Sequence, residues 1–133
     1  MNEISLSPGA RRILVVEDDV EVSRAIAQML NHLGHGVAEC GQTEEAFRRV
    51  QTGQFDLLLI DYRMPEMTGL DLILMLRQEG CDVPVIMMTG YPATEERVAS
   101  QSLGISAILK KPITPEQLAG AMAEIFNKAA VES

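Results

Sequence analysis

Short aliphatic runs alternate with stretches of helical spacing along this 133-residue chain. The first run is Arg12–Val16 (RILVV), followed by a weaker one at 37–39, then 55–60 (FDLLLI), 83–88 (VPVIMM) and 106–109 (SAIL). Each is short and almost continuously apolar, the pattern of a strand buried on both faces. Between them, Val22, Ile26, Met29, Leu30 and Leu33 recur at three and four residues, the period of an amphipathic helix. Leu70, Ile73 and Leu74 repeat in the same way, as do Leu118, Ala121, Met122 and Ile125. The segment 94–103 has the weakest helical face, interrupted by Ser100, Gln101 and Ser102, and is expected to be the most mobile helix.

Local signals mark the helix ends. Thr43 before Glu44 and Glu45 reads as an N-cap with acids in the first turn. Thr114-Pro115-Glu116-Gln117 supplies a capping Thr, a proline at the first helical position and Gln three residues after the cap. Gly34 stands where the first helix should stop. Strand and helix in alternation predict a parallel sheet with helices on both faces, a three-layer α/β domain. The expected domain spans 12–128, with a loose N-terminal tail at 1–11 and a C-terminal tail at 129–133.

Composition changes this picture little. Hydrophobic residues make up 47% and charged residues 23%, ordinary for a globular chain, and no apolar run approaches a membrane span. A cytoplasmic location without membrane association is therefore expected. Cys40 and Cys81 lie far apart without metal or redox spacing and are expected as free thiols. Charge is more informative: 11 basic against 19 acidic residues give a formal −8, which opposes direct binding to nucleic acid.

Candidate chemistry lies where ligands bind in such sheets, beyond the carboxyl ends of the strands. The first strand is followed by Glu17 and Asp18, the third by Asp61, the fourth by Thr89 and the fifth by Lys111. Separate stretches thus deliver three carboxylates, a hydroxyl and an ammonium to one edge. Clustered carboxylates raise their pKa values or hold a cation, and an all-oxygen set suits Mg²⁺ or Mn²⁺ rather than zinc. A hydroxyl and a lysine beside such a site would bind a phosphoryl group, so transfer onto Asp61 is the natural reaction. Lys110 competes with Lys111, but strand alternation admits only one of the two, and Lys110 is expected in solvent.

The segments ILVVEDD, LLLIDYRMPEMTG, VIMMTG and ILKKPIT, in this order, resemble the signatures of the response-regulator receiver domain of two-component signalling. The likeness runs from about Arg12 to Asn127. It implies a flavodoxin-like, doubly wound sheet of five strands in order 2-1-3-4-5. It further implies Asp61 as phosphoacceptor, Thr89 as switch hydroxyl and Lys111 as phosphoryl-binding lysine before a cis proline. Mg²⁺ would be held by Asp18, Asp61 and the backbone carbonyl of Arg63, with Glu17 acting mostly through water. The chain would catalyse only its own phosphorylation and dephosphorylation. Its partners would be a sensor histidine kinase or phosphotransfer protein and an output protein or domain. The surface of the fourth helix, fifth strand and fifth helix would carry the signal and could support a homodimer. Three positions depart from the pattern or tune it. Ile108 stands where an aromatic is usual, and Arg63 and Tyr91 would flank the path of the hydrolytic water. An aspartyl-phosphate hydrolase is the runner-up, but Arg63 occupies the place of its second aspartate; a constitutive interaction module would not need the full site set.

Overall fold

The computed structural model describes residues 9–90, 97 and 101–132, with side chains described through 127. Strands β1 (Arg12–Val16), β2 (Gly36–Cys40), β3 (Leu57–Asp61), β4 (Val85–Thr89) and β5 (Ala107–Lys110) form one parallel sheet in the order β2-β1-β3-β4-β5. The strands β3 and β4 run one residue further than the apolar runs, so Asp61 and Thr89 are their last residues rather than the first beyond them. Helices α1 (Val20–His32), α2 (Thr43–Val50), α3 (Gly69–Gln78) and a C-terminal helix (Pro115–Glu132) flank the sheet.

Period-two alternation assigns the core to two faces. Leu14, Val16, Leu58, Ile60, Val85 and Met87 meet Ala46, Val50, Leu72, Ile73 and Leu76 from α2 and α3. Their neighbours Ile13, Val15, Leu57, Leu59, Ile86 and Met88 meet Ile26 and Leu30 of α1 and Leu118, Ala121 and Met122 of the C-terminal helix. Every residue of β3 and β4 is buried, as continuous apolar runs require.

Several expectations need correction. The α2 N-cap is Gln42; Thr43 is the first helical residue, is buried, and makes no cap bond. Leu74 is 44% exposed, because α3 turns Leu72, Ile73 and Leu76 inward instead. The C-terminal helix continues past 128 to Glu132. Arg11, expected in a loose tail, is tied to the fold: its backbone N–H donates to His35 Nδ1 at 3.0 Å, and its guanidinium lies 4.0 Å from the Phe126 ring centroid. Thr114 and Gln117 form the anticipated reciprocal cap, at 2.7 and 3.1 Å. Both cysteines are free. Tyr91 and most of the segment 94–103 lie outside the described residues.

Candidate functional site

The carboxyl edge of the sheet is where the chain's polar residues are buried. Glu17, Asp61 and Thr89 are all buried, although a carboxylate without a partner there would be strongly destabilising. Glu17 leaves β1 with its N–H bonded to the Cys40 carbonyl of β2 at 3.0 Å. Its side chain then turns back, so that Oε2 accepts from the Asp19 N–H at 3.1 Å and Oε1 from Lys111 Nζ at 2.9 Å. Lys111 also reaches Asp61 Oδ1 at 3.2 Å, and one ammonium thereby bridges two carboxylates. Burial pushes the Glu17 carboxyl above its ordinary range; Asp61 adds to that rise, while Asp19 and Lys111 oppose it. Burial alone would lower Lys111, but its hydrogen bond to Glu17 and the nearby Asp61 charge outweigh this and raise it.

Asp18 is exposed and makes no hydrogen bond or ion pair among the described residues. Oxygens of Glu17, Asp18 and Asp61 lie within 4.8 Å of one another, a spacing and donor chemistry that fit a hard divalent cation. Thr89 ends β4, where Tyr62, next to Asp61, donates its N–H to the Met88 carbonyl at 2.8 Å. Lys111 N–H donates to the Thr89 carbonyl at 2.9 Å, which fixes the lysine beside the hydroxyl's strand end. The Lys111–Pro112 peptide is cis. Lys110 is exposed, as strand alternation required. Arg63 is exposed and pairs with Thr68 through an isolated antiparallel bridge. Ile108 is half-buried against the α2/α3 face, an ordinary packing position. His32 is exposed, and neither histidine is part of the acidic group.

Two supporting residues were not singled out from sequence. Asp19 accepts from the Glu21 and Val22 N–H groups, so it caps α1 while its own N–H holds Glu17. Gly69 begins α3 so close to β3 that an added Cβ would lie 2.8 Å from the Asp61 carbonyl oxygen. Thr68 and Asp71 form a capping box around that start, a signal legible as Thr-x-x-Asp. Beside the acidic group, a cleft of about 420 Å³ opens between α1 and the loop after β5, lined by Val22, Ala25, Met29, Lys111, Pro112 and Ile113.

The response regulator receiver domain family matches residues 13–123, most of the chain. This chain belongs to that family. Response regulator MprA of Mycobacterium ulcerans (strain Agy99) is 31% identical over 121 residues, covering 91% of this chain and 52% of the relative. Transcriptional regulatory protein CrdR of Helicobacter pylori (strain ATCC 700392 / 26695) is 31% identical over 123 residues, covering 92% and 58%. The chain thus spans about half the length of the curated relatives it matches. Among solved structures, a CheY-like receiver domain protein from Methanospirillum hungatei JF-1 superposes with a TM-score of 0.85 at 28% identity, covering 93% of this chain and 99% of that one. Receiver domains are phosphorylation-controlled signalling switches, not metabolic enzymes, and they generally bind Mg²⁺. No helix among the described residues is long and apolar enough to cross a membrane.

Proposed function

We propose that this receiver domain takes a phosphoryl group on Asp61 from a phosphohistidine of a sensor kinase or phosphotransfer protein. The observation that carries this reading is Lys111 Nζ, which lies 3.2 Å from Asp61 Oδ1 and 2.9 Å from Glu17 Oε1. A buried carboxylate with an ammonium fixed at its oxygen is positioned both to attack phosphorus and to have the arriving charge compensated. An Asp61 oxygen forms the new P–O bond while the donor's P–N bond breaks. The electron pair stays on the imidazole nitrogen. Thr89 and Lys111 then donate to phosphoryl oxygens, and Lys111 gives up its contact with Asp61 to do so.

Mg²⁺ would be held by Asp18, Asp61 and the Arg63 carbonyl, and would supply charge neutralisation for the phosphoryl oxygens. Glu17 has both oxygens already engaged, which favours contact with the cation through water. The apolar cleft beside Lys111 is a surface on which the donor protein can bury area while its histidine faces Asp61. Arg63 and Tyr91 tune the lifetime of the acyl phosphate. Switching passes through Thr89 to the surface built by the segment 94–103, β5 and the C-terminal helix, with Ile108 packing in place of a rotating aromatic. That surface meets an output domain, a separate output protein or a second copy of the chain. The domain works in the cytoplasm and at −8 leaves nucleic-acid contact to its partner.

Incubation with acetyl phosphate and Mg²⁺, read by intact mass, tests the assignment. One phosphoryl mass should be added to the wild type and none to Asp61→Asn. Equal labelling of Asp61→Asn, or labelling that persists with chelator, would overturn it.

A further inference from the structure

The opposite edge of the sheet holds a second place where chemistry and geometry coincide. Just before β1, Arg11 lines a cleft of about 280 Å³ together with Leu33, His35, Met122, Phe126 and Asn127. The other half-buried cations among the described residues all meet oxygen: Arg49 meets Glu45 and the Glu39 carbonyl, Arg77 meets three backbone carbonyls, and Lys111 meets Glu17 and Asp61. Arg11 is different. Its guanidinium makes no hydrogen bond or ion pair among the described residues, and Nε is enclosed without a partner. Its charge rests on the face of Phe126, at 4.0 Å from the ring centroid. With Nε enclosed, the terminal nitrogens are the donors left to a ligand.

We propose that this cleft binds a small monocarboxylate with an apolar or aromatic body, between the Arg11 guanidinium and the wall of Phe126, Met122 and Leu33.

Shape, charge and donor chemistry together select that class. A guanidinium matches the planar, two-oxygen edge of a carboxylate, and its stacking on Phe126 reduces the freedom lost on binding. His35 accepts the Arg11 N–H through Nδ1, so a neutral imidazole carries its hydrogen on Nε2 and is a donor there. Asn127 adds an amide, and no acidic side chain lines the cleft among the described residues. One cation compensates one negative charge, and a chain of net −8 disfavours a doubly charged ligand such as phosphate. The remaining wall is apolar, and the volume is near the lower end of small-molecule sites, roughly 300 Å³ and upward.

The proposal is independent of chemistry at Asp61. Two-dimensional amide NMR of the full chain, titrated with benzoate, benzamide and inorganic phosphate, tests it. Benzoate should give saturating shifts at Arg11, His35 and Asn127, whereas benzamide and phosphate should give none that saturate at the same concentrations. Arg11→Gln should weaken benzoate at least tenfold, roughly the loss of one charged hydrogen-bonding partner. Ala123 also lines the cleft, and Ala123→Leu, which narrows it without touching charge, should block binding too. Retained amide chemical-shift dispersion in both variants verifies that they are folded. Equal binding of benzamide, equal binding of phosphate, benzoate shifts that never saturate, or undiminished binding by folded Arg11→Gln would each overturn the proposal.

Discussion

The two edges of the sheet each hold a half-buried cation, and they compensate it in opposite ways. At the carboxyl edge, Lys111 lies between Glu17 and Asp61, and Asp18 brings a third carboxylate to the same group. At the amino edge, Arg11 has only the π face of Phe126 and a neutral imidazole beside it. A cation–π contact contributes roughly 0.5–2 kcal/mol and neutralises nothing, whereas an ion pair cancels charge. The acidic group at the carboxyl edge is therefore left with surplus negative charge, and the Arg11 cleft at the amino edge with an uncompensated positive one. A ligand is attracted by whatever charge the fold leaves uncompensated. The former edge calls for a cation and a phosphoryl group, and the latter for an anion.

Replacing Lys111 by Met breaks this contrast most severely. It leaves Glu17 and Asp61 buried with no ammonium between them. Phosphorylation by acetyl phosphate should slow by about 10²-fold, the usual penalty for losing a fixed donor at developing charge. Mg²⁺ affinity should move the other way, because the lysine no longer competes for the carboxylate oxygens. Titration calorimetry with Mg²⁺ checks the second outcome and time-resolved intact mass the first. A variant that labels at the wild-type rate would show that the 3.2 Å contact with Asp61 is incidental.

Much of the carboxyl edge was legible in the sequence, and the amino edge was hardly legible at all. Glu17, Asp61, Thr89 and Lys111 could be placed together because parallel strands fix direction, so the residue at each strand's end must reach the same side. The exact strand ends were not legible, since Asp61 and Thr89 continue the ladder although they break the apolar run. Gly69 carried no clear signal: its role depends on the distance between α3 and β3, which one-dimensional spacing does not encode. The cap at Thr43 failed for a related reason. Its side chain is drawn into the core, and Gln42 takes the boundary instead. Arg11 sat in a Ser/Pro/Gly-rich stretch without periodicity. Its contacts come from the turn at His35 and from Phe126, both remote in sequence.

Glycines sharpen the comparison with a smaller effect. Gly69, at the carboxyl edge, is limited by space, with the Asp61 carbonyl oxygen 2.8 Å from where a Cβ would be. Gly34, in the turn that leads to His35, has open space but a φ of +100°. Gly69→Ala should destabilise by about 1–3 kcal/mol as an overpacking change and, by displacing the end of β3, should also slow Asp61 labelling. Gly34→Ala should destabilise by about 1–2 kcal/mol through backbone strain and leave labelling of the folded fraction unchanged. Chemical denaturation and labelling rates measured together separate the two. Equal labelling by both variants would mean that α3 does not position Asp61.

The smallest effect belongs to His35. Burial, and secondarily the Arg11 charge, lower its pKa from the ordinary value of 6.5. The folded state therefore binds fewer protons than the unfolded state as pH falls through this range. The corresponding stability is present above 6.5 and is lost as pH falls through the lowered folded value, where the imidazolium would have to form beside Arg11 and Nδ1 could no longer accept the Arg11 N–H. Among the described residues that line the cleft, Arg11 is the only charged side chain, and no carboxylate among them offsets the penalty. Thermal unfolding at about pH 7.5 and about pH 5.5 should show a smaller acid loss for His35→Gln than for the wild type, because glutamine can accept the same N–H without titrating. Identical losses in the two proteins would place the acid sensitivity elsewhere and leave His35 as a turn residue whose protonation the fold tolerates.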